Sequence, residues 1–187
     1  MKFIVFTFLL LFSISFNAQK NCEYTVEVTD SLGTLKTTKE FLMFEKRFGN
    51  NENYIFFSLS VDNGTPVLNY QLLQKNSDFS RAYCVDPSAK LYFQLENGKI
   101  ITLVHNNVEN CGTFFRNEDK NVRVLSANFL FLINTIEELK ASPIALMRVK
   151  YSTETVDYLI REEFQSELLN ETIKPANYFV DYLHCVN

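Results

Sequence analysis

Runs of aromatic and β-branched residues, bounded by turn residues, recur along the chain and predict β-strands. The clearest run is 54–61, Tyr-Ile-Phe-Phe-Ser-Leu-Ser-Val, which the Asp62-Asn63-Gly64 turn joins to a second strand over 67–73. The same kind of pattern predicts strands over 23–30, 90–95, 100–105, 122–133, 144–151 and 154–160. These neighbouring strands and short turns are typical of antiparallel hairpins.

Segment 37–48 fits two structures. Thr37 and Glu40 have the spacing of a helix capping box, whereas Phe41, Phe44 and Phe48 could equally line a strand. We favour a strand, because the clear strand at 54–61 needs a hairpin partner.

Three segments predict helices. Thr135 to Lys140 begins with a capping box, Thr135 and Glu138, and stops before Pro143; 162–169 has a helical pattern; and 176–184 follows Pro175, which suits a first helical position. The predicted fold class is therefore α+β: an antiparallel β-meander rich in hairpins, with a short helix between strands and helices at the C-terminus.

The first nineteen residues have the order of a secretory signal peptide. Lys2 precedes an apolar run over 3–12, and small and polar residues follow to Ala18. A membrane anchor is the alternative, but a spanning helix needs about 20 apolar residues and this run is shorter. A lipid on Cys22 is disfavoured because Gln19, Lys20 and Asn21 precede it. We expect a secreted or periplasmic protein with residues 1–19 as leader and 20–187 as one domain.

Composition narrows the range of partners. The formal net charge is −4, from 18 basic and 22 acidic residues, and the longest basic cluster is Glu45-Lys46-Arg47, so we expect no nucleic-acid partner. The sequence contains no second hydrophobic span after the leader, so we expect no integral membrane span after its removal. Gly and Pro are few, which indicates one ordered globular domain. We expect a monomer.

Four cysteines, Cys22, Cys84, Cys111 and Cys185, follow the leader, and an even number in an exported chain predicts disulfides. If Asn97-Gly98 forms a two-residue type I′ turn, Leu95 faces Ile100 and Leu91 faces Val104. The same register, extended outward, places Cys84 opposite Cys111, although Pro87 could interrupt the ladder. The remaining pair, Cys22 with Cys185, would join the two ends of the domain. The alternative is four free thiols. The chain has no Cys-x-x-Cys motif, which disfavours a dithiol oxidoreductase or a zinc knuckle.

Catalytic constellations are sparse. The two histidines, His105 and His184, lie outside any Gly-x-Ser-x-Gly motif and are not spaced as a metal-binding pair. The acidic pairs Glu137-Glu138 and Glu162-Glu163 are adjacent on predicted helices, where neighbours point about 100° apart. Asp62-Asn63-Gly64 lacks the remaining ligands of a calcium loop. We therefore predict no catalytic residue, cofactor or metal site, and keep as the alternative a small secreted hydrolase using His105 or a carboxylate pair.

Aromatic residues are the richest class. The early group should belong to the core; it comprises Phe41, Phe44, Phe48, Phe56 and Phe57. Tyr178 and Tyr182 share one helical face, which should dock on the sheet and be tethered by Cys185. The other possibility is an exposed aromatic patch that binds a protein or glycan partner.

The leader's Phe16-Asn-Ala-Gln19 ending, the Asn97-Gly98 hairpin, Cys111-Gly112 and Leu139-Lys-Ala-Ser-Pro-Ile144 together resemble small exported proteins of flavobacteria and related Bacteroidota. That group has no assigned activity. The resemblance implies export and transfers no functional residue. The function we expect is a non-enzymatic binding or structural, envelope-associated role.

Overall fold

The computed structural model describes residues 20–31, 33–78 and 81–186, so the predicted leader lies outside the described residues. Strands make up 56% of these residues and helices 12%. The strands are β1 (Tyr24–Asp30), β2 (Gly33–Thr38), β3 (Phe41–Phe48), β4 (Asn51–Asp62), β5 (Thr65–Asn76), β6 (Lys90–Leu95), β7 (Ile100–His105), β8 (Thr113–Asn117), β9 (Lys120–Phe131), β10 (Ile144–Lys150), β11 (Thr155–Leu159), β12 (Phe164–Gln165) and β13 (Thr172–Ile173).

Eleven strands form one antiparallel sheet in the order β1-β2-β4-β5-β9-β7-β6-β10-β11, with β3 added to β4 and β8 added to β9. β12 and β13 make a separate two-stranded ribbon. The β-rich, hairpin-containing architecture is confirmed, while the low helical content makes the predicted α+β label a loose one. Segment 37–48, for which we favoured a strand over a helix, is extended: residues 37–38 end β2, and Phe41–Phe48 form β3.

The register of the central strands places their largest apolar residues on one face. Phe57 pairs with Tyr70 across β4 and β5, and Tyr70 pairs with Ala127 of β9. Phe93 pairs with Ile101 on one side and Met147 on the other. Because strand residues alternate between faces, these pairs and their neighbours two positions away form one continuous apolar surface.

The sheet curls strongly around this surface. Phe57 and Phe93 lie on strands that are separated by three others, yet their ring centroids are 6.0 Å apart. Adjacent strands are about 4.8 Å apart, so a flat sheet would hold these rings about 19 Å apart. Near the far ends of the sheet, the Phe44 ring of β3 contacts Tyr158 of β11 at 5.1 Å. The core therefore lies inside a curved sheet.

Two short helices fill the concave side. Helix α1 (Thr135–Ala141) connects β9 to β10, and α2 (Tyr178–Tyr182) lies between 3₁₀ turns at Pro175–Asn177 and Leu183–Val186. The Phe179 ring of α2 is 1% exposed and lies 5.0 Å from that of Phe93. The C-terminal helix thus docks on the sheet as predicted, but Pro175 is the first residue of the 3₁₀ turn that precedes α2 and not of α2 itself. No helix of the described residues has the length and apolarity needed to cross a membrane.

The register predicted for the central hairpin is wrong. Leu91 pairs with Leu103 rather than with Val104, and Glu96, Asn97 and Gly98 form a three-residue loop in which only Gly98 has positive φ, 84°. Such a loop combines a type I turn with a left-handed residue. The observed register turns Ile101 and Leu103 inward, whereas a type I′ turn would have turned the smaller Thr102 and Val104 inward.

Three local predictions also fail. Segment 162–169 is not helical, because Phe164 pairs with Ile173 in the β12–β13 ribbon and packs on a small cluster around Tyr54 and Leu42. The capping box of α1 is absent: Asn134 occupies the N-cap position, and Thr135 Oγ1 instead donates to the Leu132 carbonyl at 2.7 Å. Phe48, expected in the core, is 79% exposed.

Candidate functional site

The two ends of the described region are joined by a disulfide between Cys22 and Cys185, whose Cα atoms are 5.6 Å apart. Tyr24 supports the same junction, since its hydroxyl donates to the Cys185 carbonyl at 2.9 Å. Disulfides persist in oxidising compartments outside the cytosol. This one closes a loop that contains nearly the whole domain. It places the residues before β1 beside the C-terminal helix.

The second disulfide joins Cys84 to Cys111, which is the other half of the pairing favoured by sequence. The route to it differs from the prediction. Val85 and Asn110 exchange two backbone hydrogen bonds, of 2.8 and 3.1 Å, and this isolated bridge sets the cysteines side by side. A turn at 86–89, in which the Ala89 N–H donates to the Asp86 carbonyl, separates this bridge from the hairpin and absorbs the one-residue difference in register.

His105 is a buried residue at the end of β7. It is 4% exposed, its Nδ1 lies 3.1 Å from the Asp86 carbonyl, and its ring contacts Phe129. Burial lowers the pKa of His105, and the Asp86 carbonyl opposes that shift. In the described part of the chain, no acid or nucleophilic hydroxyl shares a hydrogen bond with this ring, so the geometry gives the hydrolase alternative no support.

The acidic pairs are held in surface ion pairs. Glu137 and Glu138 bind Lys140 and Lys99 respectively, and Glu163 lies 3.6 Å from Lys174. Glu137, Glu138 and Glu163 thus each face a different cation rather than the neighbouring carboxylate. Neither pair forms the converging arrangement that general acid and base catalysis needs.

A single group of metal-ligating side chains exists among the described residues: Cys22, His184 and Cys185 lie within 4.8 Å of one another. The two sulfurs are bonded to each other, however, and zinc binds thiolates rather than disulfides. In its oxidised form this group therefore has one available ligand, the His184 imidazole.

A cavity lined by polar and aromatic residues lies where the two ends of the domain meet. We call this cavity the terminal pocket; its volume is about 400 Å³, and its walls include Lys20, Thr38, Phe41, Ile173, Tyr178 and Tyr182. The residues around Cys22 form one wall, the β12–β13 ribbon forms another, and α2 supplies the tyrosines. The Cys22–Cys185 bond links the first of these walls to the turn that follows α2.

Three aromatic rings in mutual contact line the terminal pocket. Phe41 lies 5.1 Å from Tyr178 and 5.6 Å from Tyr182, and the two tyrosine rings are 5.5 Å apart. Burial raises the pKa of Tyr178. The Tyr178 hydroxyl is buried and has no hydrogen-bonding partner in the described structure. Phe41 and Tyr182 are half-buried and line the pocket, so part of each side chain is accessible from it.

Charges around the terminal pocket are unequally paired. Its lysines all have acidic partners: Lys20 lies 3.2 Å from Asp181, Lys39 lies 3.5 Å from Glu23, and Lys174 is bound to Glu163. Two of its carboxylates, Glu40 and Glu171, have no cationic partner within the described residues. The unpaired charge of the pocket is therefore negative.

No protein-family model, curated protein or solved structure matches this chain. The interpretation of the terminal pocket thus depends on its own geometry. Sequence reasoning identified Tyr178 and Tyr182 as one helical face and favoured its packing on the sheet over an exposed aromatic patch. It missed Phe41 as their partner and Glu171 as a wall residue, because segment 162–169, which contains β12, was predicted to be a helix and its pairing with β13 was not foreseen. The signal that could have found them was the pairing of Cys22 with Cys185, which already brought both ends of the domain together.

Proposed function

We propose that the protein is an exported, non-enzymatic binding protein and that the terminal pocket holds its ligand. The observation that carries this proposal is the trio of touching rings, Phe41, Tyr178 and Tyr182, in the wall of a 400 Å³ cavity. Small-molecule sites are typically concave and apolar with a few polar groups, and their volumes begin at about 300 Å³. The two disulfides are consistent with work outside the cytosol.

The chemistry of the pocket favours an organic cation with an apolar body. Aromatic faces attract cations within about 6 Å of the ring centroid. The Lys20 ammonium already lies 5.6 Å from the centre of the Tyr182 ring, so this ring accepts a positive charge from within the chain. Glu40 and Glu171 supply the unpaired negative charge at the pocket wall.

Calorimetric titration tests the proposal with two probes of matched size, a short alkyl-trimethylammonium and the uncharged alcohol of the same chain length. We expect the cation to bind more tightly than the alcohol. Tyr182→Leu keeps an apolar side chain but removes the π face, and should weaken binding of the cation about tenfold or more, in line with a partly desolvated cation–π contact. Glu171→Gln should weaken it less.

Phe48→Ala is the control variant, because Phe48 is aromatic, 79% exposed and outside the terminal pocket. Its affinity for the cation should equal that of the unmodified protein. Equal affinities for the cation and the alcohol, or an unchanged affinity in Tyr182→Leu, would contradict the proposal. Circular dichroism of each variant establishes that the sheet is intact.

A further inference from the structure

The imidazole of His184 lies beside the Cys22–Cys185 disulfide. Its Nε2 is 3.3 Å from Cys22 Sγ and 3.7 Å from Cys185 Sγ. The sulfur of Cys22 belongs to a half-buried residue, whereas Cys185 is 7% exposed. A thiol from solution therefore reaches Cys22 first, and Cys185 is the sulfur that would leave.

The hydrogen on this ring is assigned from its contacts. A disulfide sulfur has lone pairs and no hydrogen, so a hydrogen bond to either sulfur requires that Nε2 carry the proton. Nδ1 of His184 is buried and has no partner in the described residues, so the contacts of Nε2 are the ones that orient the ring. His184 thus presents an N–H donor to both sulfurs at once.

We infer that Cys22–Cys185 is a thiol–disulfide exchange site and that His184 promotes the exchange. The thiolate of an external low-molecular-weight thiol attacks Cys22 Sγ, a new S–S bond forms there, and the Cys22–Cys185 bond breaks with its electron pair on Cys185 Sγ. The Cys185 thiolate then takes up the proton that the external thiol released on ionisation. A second external thiol then attacks the mixed disulfide, so that two external thiols are oxidised to one disulfide and both cysteines are reduced.

His184 favours this reaction because it stabilises the product of bond cleavage more than the disulfide. A neutral disulfide sulfur is a weak hydrogen-bond acceptor, while a thiolate carries a full charge. Hydrogen bonds to charged groups are roughly twice as strong as those between neutral groups. A donor already in place where negative charge develops lowers the barrier of the step that produces it.

The second disulfide is an internal reference within the same molecule. Cys111 is an exposed residue and Cys84 is half-buried, so Cys84–Cys111 is the more accessible bond. No histidine donates to either of its sulfurs among the described residues. Accessibility alone thus predicts that Cys84–Cys111 is reduced first, and assistance by His184 predicts that Cys22–Cys185 is reduced first.

The experiment follows both bonds together. The purified protein, with both disulfides formed, is incubated under native conditions with reduced glutathione; samples are quenched with iodoacetamide, and mass spectrometry of the peptides measures alkylation at each cysteine. We expect Cys22–Cys185 to open before Cys84–Cys111. His184→Phe should slow the opening of Cys22–Cys185 about tenfold, as expected for loss of a hydrogen bond to a charged sulfur, and leave Cys84–Cys111 unchanged.

His184→Gln retains an N–H donor and should restore part of the rate, which a purely structural role of the ring would not explain. Thermal unfolding of both variants establishes that they are folded at the assay temperature. Earlier opening of Cys84–Cys111 in the unmodified protein, or an unchanged Cys22–Cys185 rate in His184→Phe, would overturn the inference. Neither result bears on ligand binding in the terminal pocket, so the two proposals stand or fall separately.

Discussion

Removal of the Cys22–Cys185 disulfide should destabilise the protein more than removal of Cys84–Cys111. The perturbation is a pair of double variants, Cys22→Ala/Cys185→Ala and Cys84→Ala/Cys111→Ala, each of which leaves the other bond intact. Double substitution avoids a single free thiol that could cross-link two molecules. Alanine keeps the Cβ atom, so the packing of the buried Cys185 changes little.

The magnitude follows from the lengths of chain that the bonds close. The sequence separations are 163 residues for Cys22–Cys185 and 27 for Cys84–Cys111. In the chain-entropy model these loops correspond to about 5 and about 3.5 kcal/mol of stabilisation at 25 °C. The expected gap of about 1.5 kcal/mol arises in the unfolded chain, because the longer bond excludes more of its conformations.

Urea unfolding measures both free energies. The chain has 9 tyrosines and no tryptophan, so tyrosine fluorescence and far-ultraviolet circular dichroism are the two probes, and their transitions should coincide. Equal losses in the two variants, or a larger loss without Cys84–Cys111, would refute the reasoning. The difference would then lie in native contacts near each bond, such as the Tyr24 hydrogen bond to Cys185.

Two further predictions concern buried polar groups. Tyr151→Phe should lower the free energy of unfolding in urea by about 1–3 kcal/mol. The Tyr151 hydroxyl lies between those of Tyr70 and Tyr158, at 2.7 and 3.1 Å, so both would lose a hydrogen-bonding partner. A smaller loss than in Tyr158→Phe, which removes the hydroxyl at one end of this chain of hydrogen bonds, would contradict this. The Lys120 hydrogen bond lowers the pKa of Glu52 from its ordinary value of 4.5, against the opposing effect of burial. Ionised Glu52 therefore stabilises the fold above about pH 4.5. The difference in free energy of unfolding between the unmodified protein and Glu52→Gln should shrink as the pH falls below this value, through the folded-state pKa of Glu52. A difference that grows on acidification would contradict the stabilising role of the ionised carboxylate.

The local sequence pattern was sufficient to predict an element when the residues that distinguish a strand from a helix lie within a few positions of one another. Strands such as β4 and β10 combine aromatic and β-branched residues with clear turn signals, so their type followed from residues a few positions apart. The pairing of Cys84 with Cys111 was also within reach, since both lie just beyond the ends of one hairpin. The pocket's tyrosines were identified as a face, because that spacing is local too.

Tertiary contacts decided the rest. The hairpin register was settled by burial of Ile101 and Leu103, and segment 162–169 became extended because Phe164 packs on a cluster from distant strands. No local signal carries the sheet's curvature, which brings Phe57 to Phe93, or the meeting of Phe41 with Tyr178. The sequence by itself was enough to place most of the long strands, to favour the observed cysteine pairing and to lead us to expect export. Only the folded chain decided which aromatic faces stay open and that His184 lies on a disulfide, because both depend on residues brought together from opposite ends of the domain.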